Sequence, residues 1–201
     1  MTANNQINMS NIPKFIKEEV VYKGRMFEVV HMTYDIDGQE VTHEKSRRAP
    51  GTRLIITKEE KVLLINEYRS ELQDWDIRLP GGKVCDSLEE YHEFLSSNMN
   101  IEDKASEGAK KEALEEVGIV AKKPNFFSIS TCGASVIWDL YYFVISEFEE
   151  HPNGQHLELG ENIEVKWVTK EEAKKMALNG SIKEDRSAAV LLRFLNSVQK
   201  N

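Results

Sequence analysis

Cysteine is scarce in this chain, with only Cys85 and Cys132. They lie far apart and in no C-x-x-C or metal-ligand spacing, which excludes a disulfide-stapled scaffold and a cysteine-built zinc site. A reduced, cytoplasmic setting is the expectation. Long apolar runs are missing as well: none approaches the ~20 residues that span a bilayer. The stretch Met1 to Ile12 is polar and rich in Asn, with neither a basic n-region nor an apolar h-region, so no secretory signal and no membrane partner is expected. Positive charge is in deficit, with 26 Lys and Arg against 34 Asp and Glu and a net charge of −8. A nucleic-acid polymer, which needs a basic footprint, is therefore not the expected partner. Small phosphorylated ligands stay open, because divalent cations can sit between protein carboxylates and phosphate oxygens.

What is present fits one ordinary domain of 201 residues with room for a small appended sheet, long enough to bury a core without staples. Residues 1–14 read as a disordered or polar arm. From Lys17 to Gln39 apolar and polar residues alternate, with turns at Tyr22–Arg25 and Asp37-Gly38, predicting two or three antiparallel strands. A strand at 41–46 leads into a loop at 47–51, and two apolar runs, 52–57 and 61–67, form a hairpin of buried strands. A short strand at 75–79 ends at Pro80-Gly81-Gly82, where two glycines open backbone angles closed to other residues. A helical turn at 89–95 and a loop at 96–100 precede a helix from 101 to 117, which Gly118 stops. Strands at 125–130, 140–147 and 163–168, a polar loop at 150–161, and helices at 171–179 and 187–198 complete a mixed α/β pattern of sheet flanked by helices.

Within the long helix, Glu112, Glu115 and Glu116 project from one face. Taken alone, such a cluster is a solvated helix face with Lys110 and Lys111 as partners. Combined with the upstream Gly-Gly loop and the glycine stop, it points instead to a site for Mg²⁺ or Mn²⁺, hard cations that prefer carboxylate oxygen.

Residues Lys111 to Ile119 resemble the second half of the Nudix signature, G-x5-E-x7-R-E-U-x-E-E-x-G-U, where U is bulky and aliphatic. Glu112, Glu115 and Glu116 fall on its three acidic positions, Gly118 on its glycine and Ile119 on its last aliphatic position. Lys111 replaces the family's Arg, losing the bidentate fork, and Ala113 replaces a larger aliphatic residue. Twenty residues separate Gly82 from Asp103 where the family has five, so an insertion of about fifteen residues, roughly 88–102, precedes the helix. Asp103, Glu102 and Glu89 are the candidates for the outer acid.

Tyr22-Lys23-Gly24-Arg25-Met26-Phe27, Glu67-Tyr68-Arg69 and Leu79-Pro80-Gly81-Gly82-Lys83 extend the resemblance over most of residues 20–196, toward the ADP-ribose and nucleoside-diphosphate-sugar branch. It implies a Nudix α/β/α sandwich at 49–201 with an N-terminal antiparallel β-sheet subdomain at 15–48 used in homodimerisation. It also implies hydrolysis of the diphosphate in a nucleoside diphosphate linked to X. Glu112, Glu115, Glu116 and Gly82 would surround Mg²⁺, with Mn²⁺ as a substitute. Glu161, Glu115 or Glu116 would be the catalytic base, and Arg48, Arg69, Phe27 and Tyr22 would meet the small-molecule nucleotide. Surface ion pairing competes for each Arg, and a core role for Phe27. His156 reads as a solvated loop residue. A nucleoside triphosphate substrate and a non-catalytic nucleotide-binding regulator are the alternative functions.

Overall fold

A computed structural model describes residues 12–198. Elements are numbered along the chain, and the chain divides into two compact units, one ending at Arg48 and taking back Cys132–Trp138, the other holding the rest.

The first unit is one sheet. β1 (Lys14–Lys23), β2 (Glu28–Ile36) and β3 (Gln39–Arg47) pair antiparallel in sequence order, and the short β9 (Val136–Ile137) adds to β3 in parallel. Asp37 and Gly38, at φ 54° and 83°, make the two-residue turn between β2 and β3. Both positive angles are what a hairpin twisted like its strands requires, and the Gly38 amide donates to Asp35 Oδ1 at 2.7 Å. Arg47 ties the strands together through Glu28 and Glu18, each at 2.6 Å. β1 is an edge strand exposed along its whole length.

The second unit carries β4 (Gly51–Lys58), β5 (Lys61–Arg69), β6 (Asp74–Arg78), α1 (Leu88–Leu95), α2 (Ile101–Glu112), β7 (Ile119–Ala121) and β8 (Asn125–Ser130). After the excursion to β9 follow β10 (Leu140–Ile145), β11 (Phe148–Glu150), β12 (Ile163–Thr169), α3 (Lys170–Leu178) and α4 (Asp185–Val198). The main sheet runs β12, β5, β4, β10, β8, with β6 also on β5. β4 and β10 are parallel, and the other pairs are antiparallel.

Ala105, Ala109 and Ala113, all fully buried, repeat every four residues and form the stripe by which α2 and its extension meet the sheet beside Leu54, Ile56, Leu63, Ile65, Tyr141 and Phe143. Small side chains there let the helix approach closely. Tyr142 alternates to the opposite face, where its hydroxyl lies 3.4 Å from Ser187 Oγ of α4. Helices thus cover both faces, the layered α/β/α arrangement expected from the sequence.

Several details differ from expectation. The α-helix ends at Glu112, and Ala113–Val117 continue as a π-helical turn before Gly118, at φ 75°, closes it. The expected turn at 89–95 is a full helix, α1, capped by Ser87 Oγ accepting from the Glu90 amide. β7, β9 and β11 were not expected; each has only two or three residues, too few to show a period. Residues Cys132–Trp138, expected in the second domain, group with the first because β9 pairs with β3. Most of the expected N-terminal arm lies outside the described residues, and Lys14, its last member, opens β1.

Candidate active site

The site begins where two strands separate. β4 and β5 pair only at Thr57↔Val62 and Lys58↔Lys61. Beyond that point β6 takes over the edge of β5, and the segment after β6 returns along β4. Leu54 donates its amide to the Pro80 carbonyl, Thr52 to that of Gly82, both at 2.9 Å, and Val84 donates to Pro50 at 3.1 Å. Gly81 sits at φ 136°, and a side-chain carbon there would strike the β4 backbone at Thr52 and Arg53. Glycine is required at this close approach.

The other side of the loop meets the helix. Glu116 and Glu112 follow the buried Ala113 and Ala109 by three residues, so they flank the stripe that faces the sheet. Glu116 Oε2 accepts from the Gly81 amide at 2.6 Å, and Glu112 Oε1 accepts from the Lys83 amide at 3.1 Å. Burial pushes the Glu116 carboxyl up to about 8, with Glu112 adding repulsion against the pull of the Gly81 bond and Arg53. Burial also lifts Glu112 to about 7, opposed by its Lys83 bond and reinforced by Glu115 and Glu161. A side-chain carbon on Gly82 would collide with the Glu112 carboxylate.

The π-helical turn places Glu115 and Glu116 and is anchored from the following loop. Gln155 Nε2 donates to the Glu116 carbonyl at 2.6 Å and to Ile163 at 3.3 Å, while the His156 amide donates to the Glu115 carbonyl at 2.9 Å. His156 is exposed, as expected of a solvated loop residue, and its ring pairs with that of His151 at 3.1 Å. Lys111 Nζ lies 3.6 Å from Asp86 and 3.8 Å from Glu115.

Of the remaining predicted residues, Glu161 belongs to this neighbourhood: it contributes to the negative field at Glu112, and its own carboxylate accepts from the Glu158 amide at 2.7 Å. Arg69 ends β5 in ion pairs with Glu67 at 2.9 Å and with Glu71. Arg48 belongs to the first unit, its guanidinium 4.4 Å from the centre of the Trp138 ring. Tyr22 and Phe27 are also in the first unit and are 59% and 51% exposed, so Phe27 is not a core residue. Glu102 and Asp103 occupy the first turn of α2, with Asp103 about 14 Å of helix rise before Glu112. Glu89 is an exposed residue of α1.

A NUDIX domain model matches residues 47–188. The chain belongs to the NUDIX family. Among solved structures, one described as the crystal structure of an ADP compounds hydrolase superposes with a TM-score of 0.64 at 17% identity, covering 93% of each chain. At that identity the likeness concerns the fold. No curated protein matches.

NUDIX enzymes use divalent cations, and the donor set here suits a hard one. Glu112, Glu115 and Glu116 offer only oxygen; Glu116 is buried and Glu112 half-buried, and the two repel each other. Among the described residues no three His, Cys, Asp or Glu side chains converge as a ready-made metal cage, since Glu112 and Glu116 face loop amides. The Gly82 carbonyl, assigned to the metal set by sequence, faces the Thr52 amide.

Sequence reading missed two groups in this NUDIX site. Gln155 gave no signal, being one amide in a polar loop. Arg53 did give one: it is a lone charge in the run Gly51–Thr57 that is otherwise buried and uncharged.

Proposed function

We propose that this NUDIX protein hydrolyses the diphosphate bond of a nucleoside diphosphate linked to X, with ADP-ribose and nucleotide sugars as the first substrates to test. The observation that carries the reading is the pair Glu112, half-buried, and Glu116, buried one helical turn further on, each aligned by a loop amide. Carboxylates held at this cost suit a divalent cation, Mg²⁺ or Mn²⁺, which when bound supplies positive charge that neutralises the diphosphate.

The chain's own groups do the rest. Glu112, Glu115 and Glu116 would hold the cation, whereas the Gly82 carbonyl is engaged by the Thr52 amide. A water oxygen bonds to phosphorus as the bridging P–O bond breaks, and the proton of that water passes to Glu161 or to a helix glutamate. With ADP-ribose the products are AMP and ribose 5-phosphate. Arg69, in the same unit as the glutamates, contacts the substrate, its planar guanidinium donors suiting phosphate oxygens. The exposed apolar residues of β1 support a homodimer.

Purified protein incubated with Mg²⁺ and ADP-ribose, nucleotide sugars, dinucleoside polyphosphates and nucleoside triphosphates is expected to release a nucleoside monophosphate and a phosphorylated partner from the first two groups. Glu116→Gln should lower turnover at least about 100-fold with the fold retained. Near-normal activity in that variant would overturn the site, and a preference for triphosphates would overturn the substrate class.

A further inference from the structure

Three successive peptides, Pro80–Gly81, Gly81–Gly82 and Gly82–Lys83, separate the helix glutamates from β4. The first and third are alike: each has its carbonyl held by a β4 amide, from Leu54 or Thr52, while its N–H holds a glutamate, Glu116 or Glu112. In a trans peptide the C=O and N–H point in opposite directions, so each of these planes is a short strut from sheet to acid. The middle peptide is different. It lies between two glycines, the residues with the widest backbone freedom, and is the easiest of the three to swivel.

No β4 amide remains for its carbonyl, because strand alternation sends the Arg53 amide toward β10. The Arg53 side chain supplies the missing donor: Nη1 bonds to the Gly81 carbonyl at 2.9 Å and to the Thr52 carbonyl at 2.8 Å. Arg53 is 8% exposed, and its hydrogen bonds are to the carbonyls of Thr52 and Gly81. Glu184 and Glu116 favour its charge through space without forming an ion pair, but desolvation outweighs them, and an apolar residue of similar volume in place of such a buried charge is commonly neutral or better. Fold stability alone therefore gives no reason for an arginine here.

We propose that Arg53 is a positioning residue for the acidic site: it locks the Gly81–Gly82 peptide, and so keeps the two flanking amides at the spacing that sets Glu116 and Glu112. The inference rests on the functional reading above, in which those glutamates hold a divalent cation. Arg53 touches neither substrate nor the reacting atoms; it acts through the loop.

The test compares wild type with Arg53→Met and Arg53→Lys, using Mn²⁺ titration calorimetry, amide hydrogen exchange over residues 79–84, thermal melting and steady-state kinetics. Arg53→Met should bind Mn²⁺ about 10- to 100-fold more weakly, speed exchange in that segment but not in β5, lower kcat more than it raises KM, and keep or raise the melting temperature. Arg53→Lys, which keeps the charge without the fork, should recover part of the affinity, and it serves as the comparison if the Met variant does not fold. Mn²⁺ affinity and loop exchange unchanged in the variants would overturn the proposal. So would a lowered melting temperature with exchange raised equally throughout, which marks a structural role. If wild type binds Mn²⁺ but hydrolyses no nucleotide, the proposed function falls while the Arg53 comparison is still decided by affinity and exchange. If wild type binds no Mn²⁺, exchange alone decides it.

Discussion

Gly81 donates its amide to Glu116 Oε2 at 2.6 Å across 35 residues of chain. The bond joins the tightest turn of the loop to the most buried acid of the helix. Loop and helix therefore cannot shift independently, and substitutions at the two glycines separate their roles.

Gly81→Ala should lose at least about 2 kcal/mol of stability, because it combines an unfavourable φ with a collision against β4 backbone. Gly82→Ala meets first the Glu112 carboxylate, the end of a side chain rather than backbone, so it should keep the fold and lose activity. Chemical denaturation and product release, measured side by side, check the contrast; equal stability losses in both would refute it.

Acid should selectively erase the contribution of Glu184. Its carboxylate caps α4, accepting from the Ser187 amide at 2.9 Å and the Ser187 hydroxyl, and pairs with Arg186 at 3.0 Å. Burial works to raise this carboxyl, yet the Ser187 and Arg186 interactions outweigh it and hold it below the usual glutamate range. A lowered folded value means that the stabilisation is complete above the unfolded value of about 4.3 and is lost as pH falls through the folded one. Glu184→Gln should cost about 0.5–2 kcal/mol at neutral pH, and melting curves of the two proteins should converge in acid. A gap that stays constant with pH would count against this account.

The two thiols should differ sharply. Burial pushes Cys85 up to about 11, and it is 3% exposed, whereas Cys132 is half-buried and unbridged. A thiol reagent at mildly alkaline pH should modify one group in the native protein and both after denaturation. Cys132→Ser should remove the fast phase; its persistence would reverse the assignment.

The proposed homodimer through β1 predicts a sedimenting mass twice the chain's 23.1 kDa. Val20 and Val21, at the bulge of this edge strand, are 41% and 44% exposed, and lysine at both should move the mass toward the monomer. Wild type sedimenting as a monomer would refute the dimer.

Legibility in the sequence followed the range of the interactions. The Asp37-Gly38 turn and the Gly118 stop are decided within a few residues, and both were readable. The three glutamates were readable because helix geometry puts nearby positions on one face. The π-helical turn was not, since it depends on Gln155 and His156 reaching back to the carbonyls of Glu116 and Glu115. β9 was hidden because its partner is β3, far away in sequence. Arg53 stood in plain view, but its meaning depends on where the Gly81 carbonyl points.

The return of Cys132–Trp138 to the first unit bears on how such a chain can be rearranged. Ser46 donates to Ser135 and Arg48 to Ile137, at 2.9 and 3.1 Å, so that sheet is completed by backbone from a later part of the chain. A break after Arg48 would strip Cys132–Trp138 of its pairing partner. Recombination at a single junction therefore cannot graft the first sheet onto another catalytic body: the donor must contribute two separate stretches, and the recipient must lend a gap for the second.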